Sequence, residues 1–388
     1  MINPYQDNKR LNYFIIIFLI VIEYFNQYPS LNQFVIRGFI PLSFSIILLL
    51  LFRWNIQSIP NELYIYILFL VWGSFGIVNV KYDTETFYRY VQVIIGNILC
   101  IFTLFFIFQQ IRSSKFIHIG IITTSTVVLL DSLFLNKTFD EGQLAGIFVN
   151  PNTTGFIIST GIFSIYLLRG FSLSRWQKYF LIGIELFLIY GIILVASRKM
   201  FLAIAFFYVL HFVSIYARRR FLLAGYIIAV LFTFFLAFDI GSLIKSESSE
   251  YVLISRFDED AFDQGVDTRS SLISDGFKMV ETFPYLGAGL GNYKYYTERG
   301  GYAHNDLMEL AATTGLVGMG IYLLIYVIFI YKIRKLRDKY SQRLIYIILI
   351  IFFMIGMGQP HFIDINSMIF IFSVFFYGKQ KLFEESNY

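Results

Sequence analysis

The sequence predicts an all-α, polytopic membrane protein, and three observations carry that reading. Of 388 residues, 57% are hydrophobic and only 15% are charged, whereas soluble globular domains carry about 25% charged residues. Mean hydropathy is +0.65. The apolar residues also gather into runs close to the roughly 20 residues that a helix needs to cross a bilayer.

Those runs fall near 12–28, 34–52, 62–80, 89–108, 116–135, 154–169, 178–196, 200–217, 221–239, 315–331, 343–358 and 361–377, about twelve spans in all. Lys9 and Arg10 precede the first run as they would in a secretory leader. That run passes into "EYFNQYPSLNQF" without a small-x-small cleavage site, so it reads as a span. The layout divides the chain into spans 1–9 over residues 1–239, a large, partly helical outer loop between spans 9 and 10 over 240–314, and spans 10–12 with a tail over 315–388.

Charge fixes the expected orientation. With the N-terminus in the cytoplasm, nineteen Lys and Arg fall on the inner side against six in the short outer connections. This is the bias that orients membrane proteins, and it expects both termini in the cytoplasm. The net charge of +5 is then a topology signal and not a nucleic-acid footprint. One cysteine, Cys100, sits in an apolar run, which leaves no internal disulfide and no cysteine metal site. Glu23, Asp131 and Glu185 lie within spans and read first as polar contacts between helices.

Residues 240–314 break the rhythm of spans and short turns, and a loop that long is usually functional or disordered. Its turn punctuation predicts order. "DTRSSLISDGFKMVETFPYLG" makes an amphipathic helix with Leu272, Ile273, Phe277, Val280 and Phe283 on one side, ended by Pro284. "AHNDLMELAATTG" makes a second helix, capped by Asn305 or Asp306 and stopped by Gly315.

Four motifs hold the candidate chemistry. "LGAGLGNY" places Gly287, Gly289 and Gly291 before Asn292. Its spacing and lack of a preceding strand exclude a dinucleotide loop, and its glycines supply a sharp turn and close backbone approach. His304 arrives with Asn305, Asp306 and Glu309. Four histidines occur, and His118, His211 and His361 lie in or near spans. His304 alone falls at the outer membrane edge among acids, without metal-ligand spacing, so it reads as a general base and no metal is expected. "NPN", with Asn150 and Asn152, reads as a helix cap with Pro in the first turn, or as amides facing a sugar. "ASRKM" puts Arg198 and Lys199 in a short outer turn. They read either as snorkelling cations or as a site for a lipid phosphate. Arg269, near a helix start that slightly disfavours a cation, suits an anion partner because its planar fork grips phosphate bidentately.

Four segments resemble the O-antigen ligase and O-antigen polymerase superfamily of bacterial envelope glycan enzymes: "GIFVNPNTTGF", "VASRKMFLAIA", "TRSSLISDGFKMVETFPYLGAGLGNY" and "AHNDLMELAATTGLVGMGIYL". The aromatic often found shortly after the loop arginine is absent here. The resemblance implies metal-independent, cofactor-free glycosyl transfer from an undecaprenyl-diphosphate-linked oligosaccharide. The reaction would take place on the outer face of the bacterial inner membrane, among membrane lipids. His304 matches the family's loop histidine, Arg198 its membrane-edge arginine and Arg269 its loop arginine. Asn150, Asn152, Lys199, Gly289, Gly291, Asn292, Asn305 and Glu309 complete the substrate-binding candidates. The acceptor is a glycolipid: a second lipid-linked repeat unit for a polymerase, as in capsule or O-antigen synthesis, or a lipid A core for a lipopolysaccharide ligase. Chain-length regulators and flippases are the expected protein partners, and no nucleic acid is. A lipid-linked glycan flippase is the rival from another class. It would use midplane charges and internal repeats, and no repeat is found.

Overall fold

The computed structural model describes residues 9–25, 43, 46, 61–110, 113–135, 139–140, 143–144, 150–216, 259–297, 300–303, 305–356 and 362–386. Its described residues form eleven α-helices: α1 (Lys9–Phe25), α2 (Asn61–Ser74), α3 (Thr84–Gln110), α4 (Lys115–Phe134), α5 (Pro151–Arg169), α6 (Arg175–Val195), α7 (Arg198–Tyr216), α8 (Glu259–Thr282), α9 (Asp306–Ile333), α10 (Lys339–Gly356) and α11 (Ile365–Ser386). A 3-10 turn, Phe75–Asn79, extends α2. The one sheet among these residues is a two-stranded antiparallel ribbon, Phe139–Asp140 with Gln143–Leu144. Six helical stretches are long and apolar enough to cross a membrane: α2 with its 3-10 turn, α4, α6, α7, α9 and α10. The expected spans at 34–52 and 221–239 and the first part of the outer loop lie outside the described residues, apart from Ser43 and Ile46.

The chain forms two compact units. The first comprises Met1–Gly120, Asp267–Arg337 and Gly356–Tyr388, and the second Ile121–Val266 and Asp338–Ile355.

In the first unit α2 runs antiparallel to α9. At one end Lys332 bonds the buried Glu62 carboxylate at 2.8 Å. At the other, the Trp72 indole donates to the Thr314 carbonyl at 3.1 Å. Between them Tyr66, Phe69, Tyr322, Phe362 and Phe372 pack as tilted and edge-on rings, the geometry that aromatic quadrupoles favour. Tyr66 keeps its hydroxyl satisfied on the Phe362 carbonyl at 2.9 Å.

The second unit is built around α5, which is buried along nearly its whole length. Small residues make this possible by letting neighbouring helices approach closely. A Cβ on Gly161 would sit 2.5 Å from the Ser125 hydroxyl, and one on Gly155 would sit 2.9 Å from Met200. Ser125 bonds across to the Ile157 carbonyl at 2.7 Å. By contrast, α6 leaves Trp176, Tyr179, Phe180, Leu186 and Tyr190 exposed, an apolar face suited to lipid. Its acid Glu185 pairs with Arg169 and accepts from the Tyr208 hydroxyl at 2.7 Å, the helix-to-helix role expected of it.

Candidate active site

The site region of the first unit is assembled from backbone. Pro284 follows α8, and the chain turns back through residues 284–292 along the start of α9. The N–H groups of Ala288 and Gly289 donate to the carbonyls of Ala312 and Thr313 at 2.9 and 3.0 Å, and Leu316 N–H donates to the Pro284 carbonyl at 2.8 Å. These last contacts require a break in α9, which Gly315 supplies with φ of 70°. A Cβ there would lie 2.0 Å from the Tyr285 carbonyl oxygen, so only glycine fits. The sequence predicts that Gly315 stops this helix. The break is present, and the helix then resumes as the apolar stretch 316–333, the part read as crossing the membrane.

On its other side the loop is held by α2. Asn79 donates its amide to the Gly287 carbonyl at 2.8 Å, and the Tyr296 hydroxyl donates to the Asn79 carbonyl. Gly76 packs directly against the backbone of Gly289. Nothing in the sequence flags Asn79 or Trp72. They end a plain apolar run, and Asn79 lies 208 residues from its partner.

Helix α8 is longer than the sequence predicts and begins at Glu259. Arg269 is therefore in its middle, and the argument from an unfavourable helix start does not apply; the position of the Arg269 side chain lies outside the description. The buried face of α8 overlaps the expected one, with Leu272 buried and Val280 and Phe283 packed on the core, but it takes in three residues not expected there and leaves one out. Leu272, Asp275, Gly276 and Met279 are buried, while Phe277 is 58% exposed. The reason is the partner: Met279 packs with Ala288, Tyr293, Ala303 and Ala312, and the Tyr293 hydroxyl donates to the Leu272 carbonyl at 2.6 Å. Burial raises the Tyr293 pKa above that of an ordinary phenol, helped by the charges of Glu309 and Asp275, so it stays a neutral donor.

His304 itself lies outside the described residues; its two neighbours are fixed. Ala303 donates its N–H to the Glu309 carboxylate at 3.1 Å. Asn305 caps α9 by accepting from the Met308 N–H at 3.1 Å. Glu309 thus reaches back to the chain just ahead of His304 and is 5% exposed. It lies ahead of the break at Gly315, in the part of α9 that the sequence reading assigns to the outer loop. Burial pushes its carboxyl up to about 8, against the opposing hydrogen bond from Ala303.

The second unit holds the other candidates. Asn150 caps α5, accepting from the Asn152 N–H at 2.9 Å, with Pro151 in the first turn. This is the capping role read from "NPN". Asn152 accepts from the Ser197 hydroxyl at 2.7 Å, which ties the start of α5 to the turn between α6 and α7. That turn places Ala196 in the left-handed region, with φ of 51°. Ser197 then starts α7 through a bond from Phe201 N–H to its carbonyl. Arg198 and Lys199 open α7, both half-buried. Ser197 is another residue that the sequence did not single out. Of the eleven candidates, Asn292, Asn305, Glu309, Gly289 and Gly291 come together in the first unit, and Asn150, Asn152, Arg198 and Lys199 in the second. Among the described residues no three His, Cys, Asp or Glu side chains gather as metal ligands.

No curated protein matches the chain in a sequence search. Residues 183–323 match the family model described as O-antigen ligase, a stretch that runs from within α6 through α8 and the glycine loop into α9. Together with the motifs, this match supports the O-antigen ligase and polymerase superfamily for that stretch of the chain.

Proposed function

We propose that the protein is a polysaccharide polymerase of the bacterial cell envelope. It transfers an undecaprenyl-diphosphate-linked glycan en bloc onto another lipid-linked repeat unit, at the outer face of the inner membrane, and inverts the anomeric carbon. The observation that supports this best is the fixed backbone on both sides of position 304, inside the stretch that matches the O-antigen ligase model.

The chemistry follows from what the reaction needs. The acceptor hydroxyl loses a proton as it attacks, and His304 takes it, because an imidazole changes charge near neutral pH. Glu309 positions that residue by anchoring Ala303. The diphosphate leaves with growing negative charge, which Arg269 and Arg198 stabilise as bidentate donors. The en bloc glycan distinguishes this from transfer of single sugars. The second reading, transfer of the glycan to a lipid A core, is favoured by the description of the matching family model.

One assay tests both. The full chain, purified in detergent, is given a lipid-linked glycan donor with either a lipid-linked repeat unit or a lipid A core as acceptor. We expect transfer to the repeat unit, no loss of turnover after chelator treatment, and a drop of about a hundredfold or more in kcat for His304→Ala, in line with the usual contribution of a general base. Turnover near wild type by His304→Ala sinks the base assignment. Transfer to the lipid A core alone replaces polymerase with ligase.

A further inference from the structure

We propose that the outward face of α9, at its Lys332 end, binds an anionic phospholipid. Arg334 and Lys335 hold the lipid phosphate, and an acyl chain lies along Leu324, Val327 and Tyr331. The site is separate from the glycan chemistry and stands whether or not the transferase reading does.

The connection after α9 is strongly basic. Residues 332–343 hold six Lys and Arg and one acid, Asp338. These charges are not equivalent. Lys332 turns inward to the buried Glu62 carboxylate at 2.8 Å. The Asp338 carboxylate is engaged at the start of α10, where it accepts from the Ser341 hydroxyl at 2.6 Å. Arg334 and Lys335 are exposed and gather on the ring of Tyr331, 5.2 and 5.1 Å from its centroid. Each contact is favourable alone, because a ring face attracts a cation. Together they bring two like charges to one ring, which neutralises neither. Lys335 meets no carboxylate among the described residues.

On the membrane side of this pair the same face is apolar and uncovered. Leu324, Val327, Ile330 and Tyr331 are exposed, at the three- and four-residue spacing of one helical face. Tyr322, Ile325, Phe329 and Ile333, on the opposite face, are buried. From Leu324 to Arg334 the helix rises about 15 Å, half of the roughly 30 Å hydrocarbon core. A stripe one leaflet deep that ends in two cations matches a molecule with an apolar chain and an anionic head. An acidic protein segment would satisfy the cations and leave the stripe unmatched. A phosphate suits the pair, since the Arg334 fork can take two of its oxygens and the Lys335 ammonium a third. The charge bias assigns this end of α9 to the cytoplasmic side, where anionic lipid draws basic segments to the membrane surface.

The test titrates the full chain in detergent with phosphatidylglycerol, phosphatidylcholine and glycerol phosphate, and reads the bound species by native mass spectrometry. Phosphatidylglycerol should bind about tenfold more tightly than phosphatidylcholine, whose choline cation opposes the pair. Glycerol phosphate, a head without a chain, should bind far more weakly than either lipid. Arg334→Gln with Lys335→Gln should weaken phosphatidylglycerol by about thirtyfold, from roughly fivefold for each basic residue at a membrane surface. Tyr331→Leu keeps the stripe apolar, removes the ring that gathers the cations, and should weaken binding by about threefold. Arg337→Gln with Lys339→Gln removes the same charge from the same connection and should change binding by no more than about twofold, since salt screens charges outside the contact. The four basic positions are exposed, and melting temperatures check that each variant is folded. Equal weakening by the two double variants would show that bulk charge alone attracts the lipid, which overturns the proposal. So does unchanged affinity in Arg334→Gln with Lys335→Gln, equal binding of the two lipids, or glycerol phosphate binding as tightly as phosphatidylglycerol.

Discussion

Glu309 shows how a contact decides between readings that spacing leaves open. Five positions after His304, it does not share a helical face with it neatly, so the sequence allows it to orient His304 or only to cap or solvate its helix. The folded chain turns the carboxylate back onto the Ala303 N–H. That bond has two measurable consequences. Glu309→Gln keeps an acceptor of the same shape, so it should retain most activity, whereas Glu309→Ala releases the turn and should lower kcat about tenfold with little change in donor KM. An equal loss in both variants would show that charge and not anchoring matters. The second consequence is pH dependence. The folded carboxyl titrates at about 8 and an ordinary one at 4.5, so between these values the folded state holds a proton that the unfolded chain has lost. Stability should therefore be greatest below about 4.5 and fall as pH rises through 8, by at most about 1.4 kcal/mol per pH unit. Glu309→Gln should flatten that slope in a melting-temperature series. A slope unchanged by the substitution would mean that other groups set it.

At the scale of elements, the junction between α2, the 284–292 loop and the broken α9 carries the site. Gly315 is its hinge point. Gly315→Ala forces both a strained φ and a Cβ against the Tyr285 carbonyl oxygen, so it should abolish folded protein or activity. Gly320→Ala, five residues on in the same helix, meets nothing within 4 Å and should leave both unchanged. Comparable behaviour of the two would refute the junction. Some of this architecture was legible in the sequence. Asn150 with Pro151, Asn305 before an acidic first turn, and Gly315 are local signals, and local hydrogen bonds decide them. The clamp by Asn79 and Trp72 was not legible, because a single amide at the end of an apolar run looks like any span terminus. The share of α8's buried face taken by Asp275, Gly276 and Met279 was missed for a related reason. Periodicity identifies the apolar residues of a helix, while the partner that packs on it decides which of them are covered, and here that partner accepts Asp275 and leaves Phe277 out.

For the whole molecule, the charge count and the fold of the first unit can be set against each other. The layout drawn from Lys and Arg puts Glu62, Lys332 and Gln380 on one side of the membrane and Asn79, Lys81 and Gly287 on the other. Four hydrogen-bonded pairs of the first unit respect that division without using it, whereas the Tyr66 hydroxyl, one turn from Glu62, reaches the carbonyl of Phe362 at the end of span 361–377 that the layout puts outside. Glu62 pairs with Lys332, and Gln380 accepts from the Ser114 backbone and hydroxyl, while Asn79 holds Gly287 and Lys81 bonds the Tyr295 carbonyl at 2.7 Å. No bond in that set joins a residue of one side to a residue of the other. The agreement concerns which ends belong together, and charge bias then says which end faces the cytoplasm. The sequence supports a direct check, because Cys100 is the one cysteine. In a Cys100→Ser background, a cysteine at Lys294 or Tyr82, both exposed, should react with a membrane-impermeant maleimide added to intact spheroplasts. A cysteine at Arg337 or Lys335 should react only after the membrane is permeabilised. The reverse pattern would place the glycine loop, and with it the site, in the cytoplasm. Labelling of both sets in intact cells would break the antiparallel pairing of α2 with α9 on which the site depends.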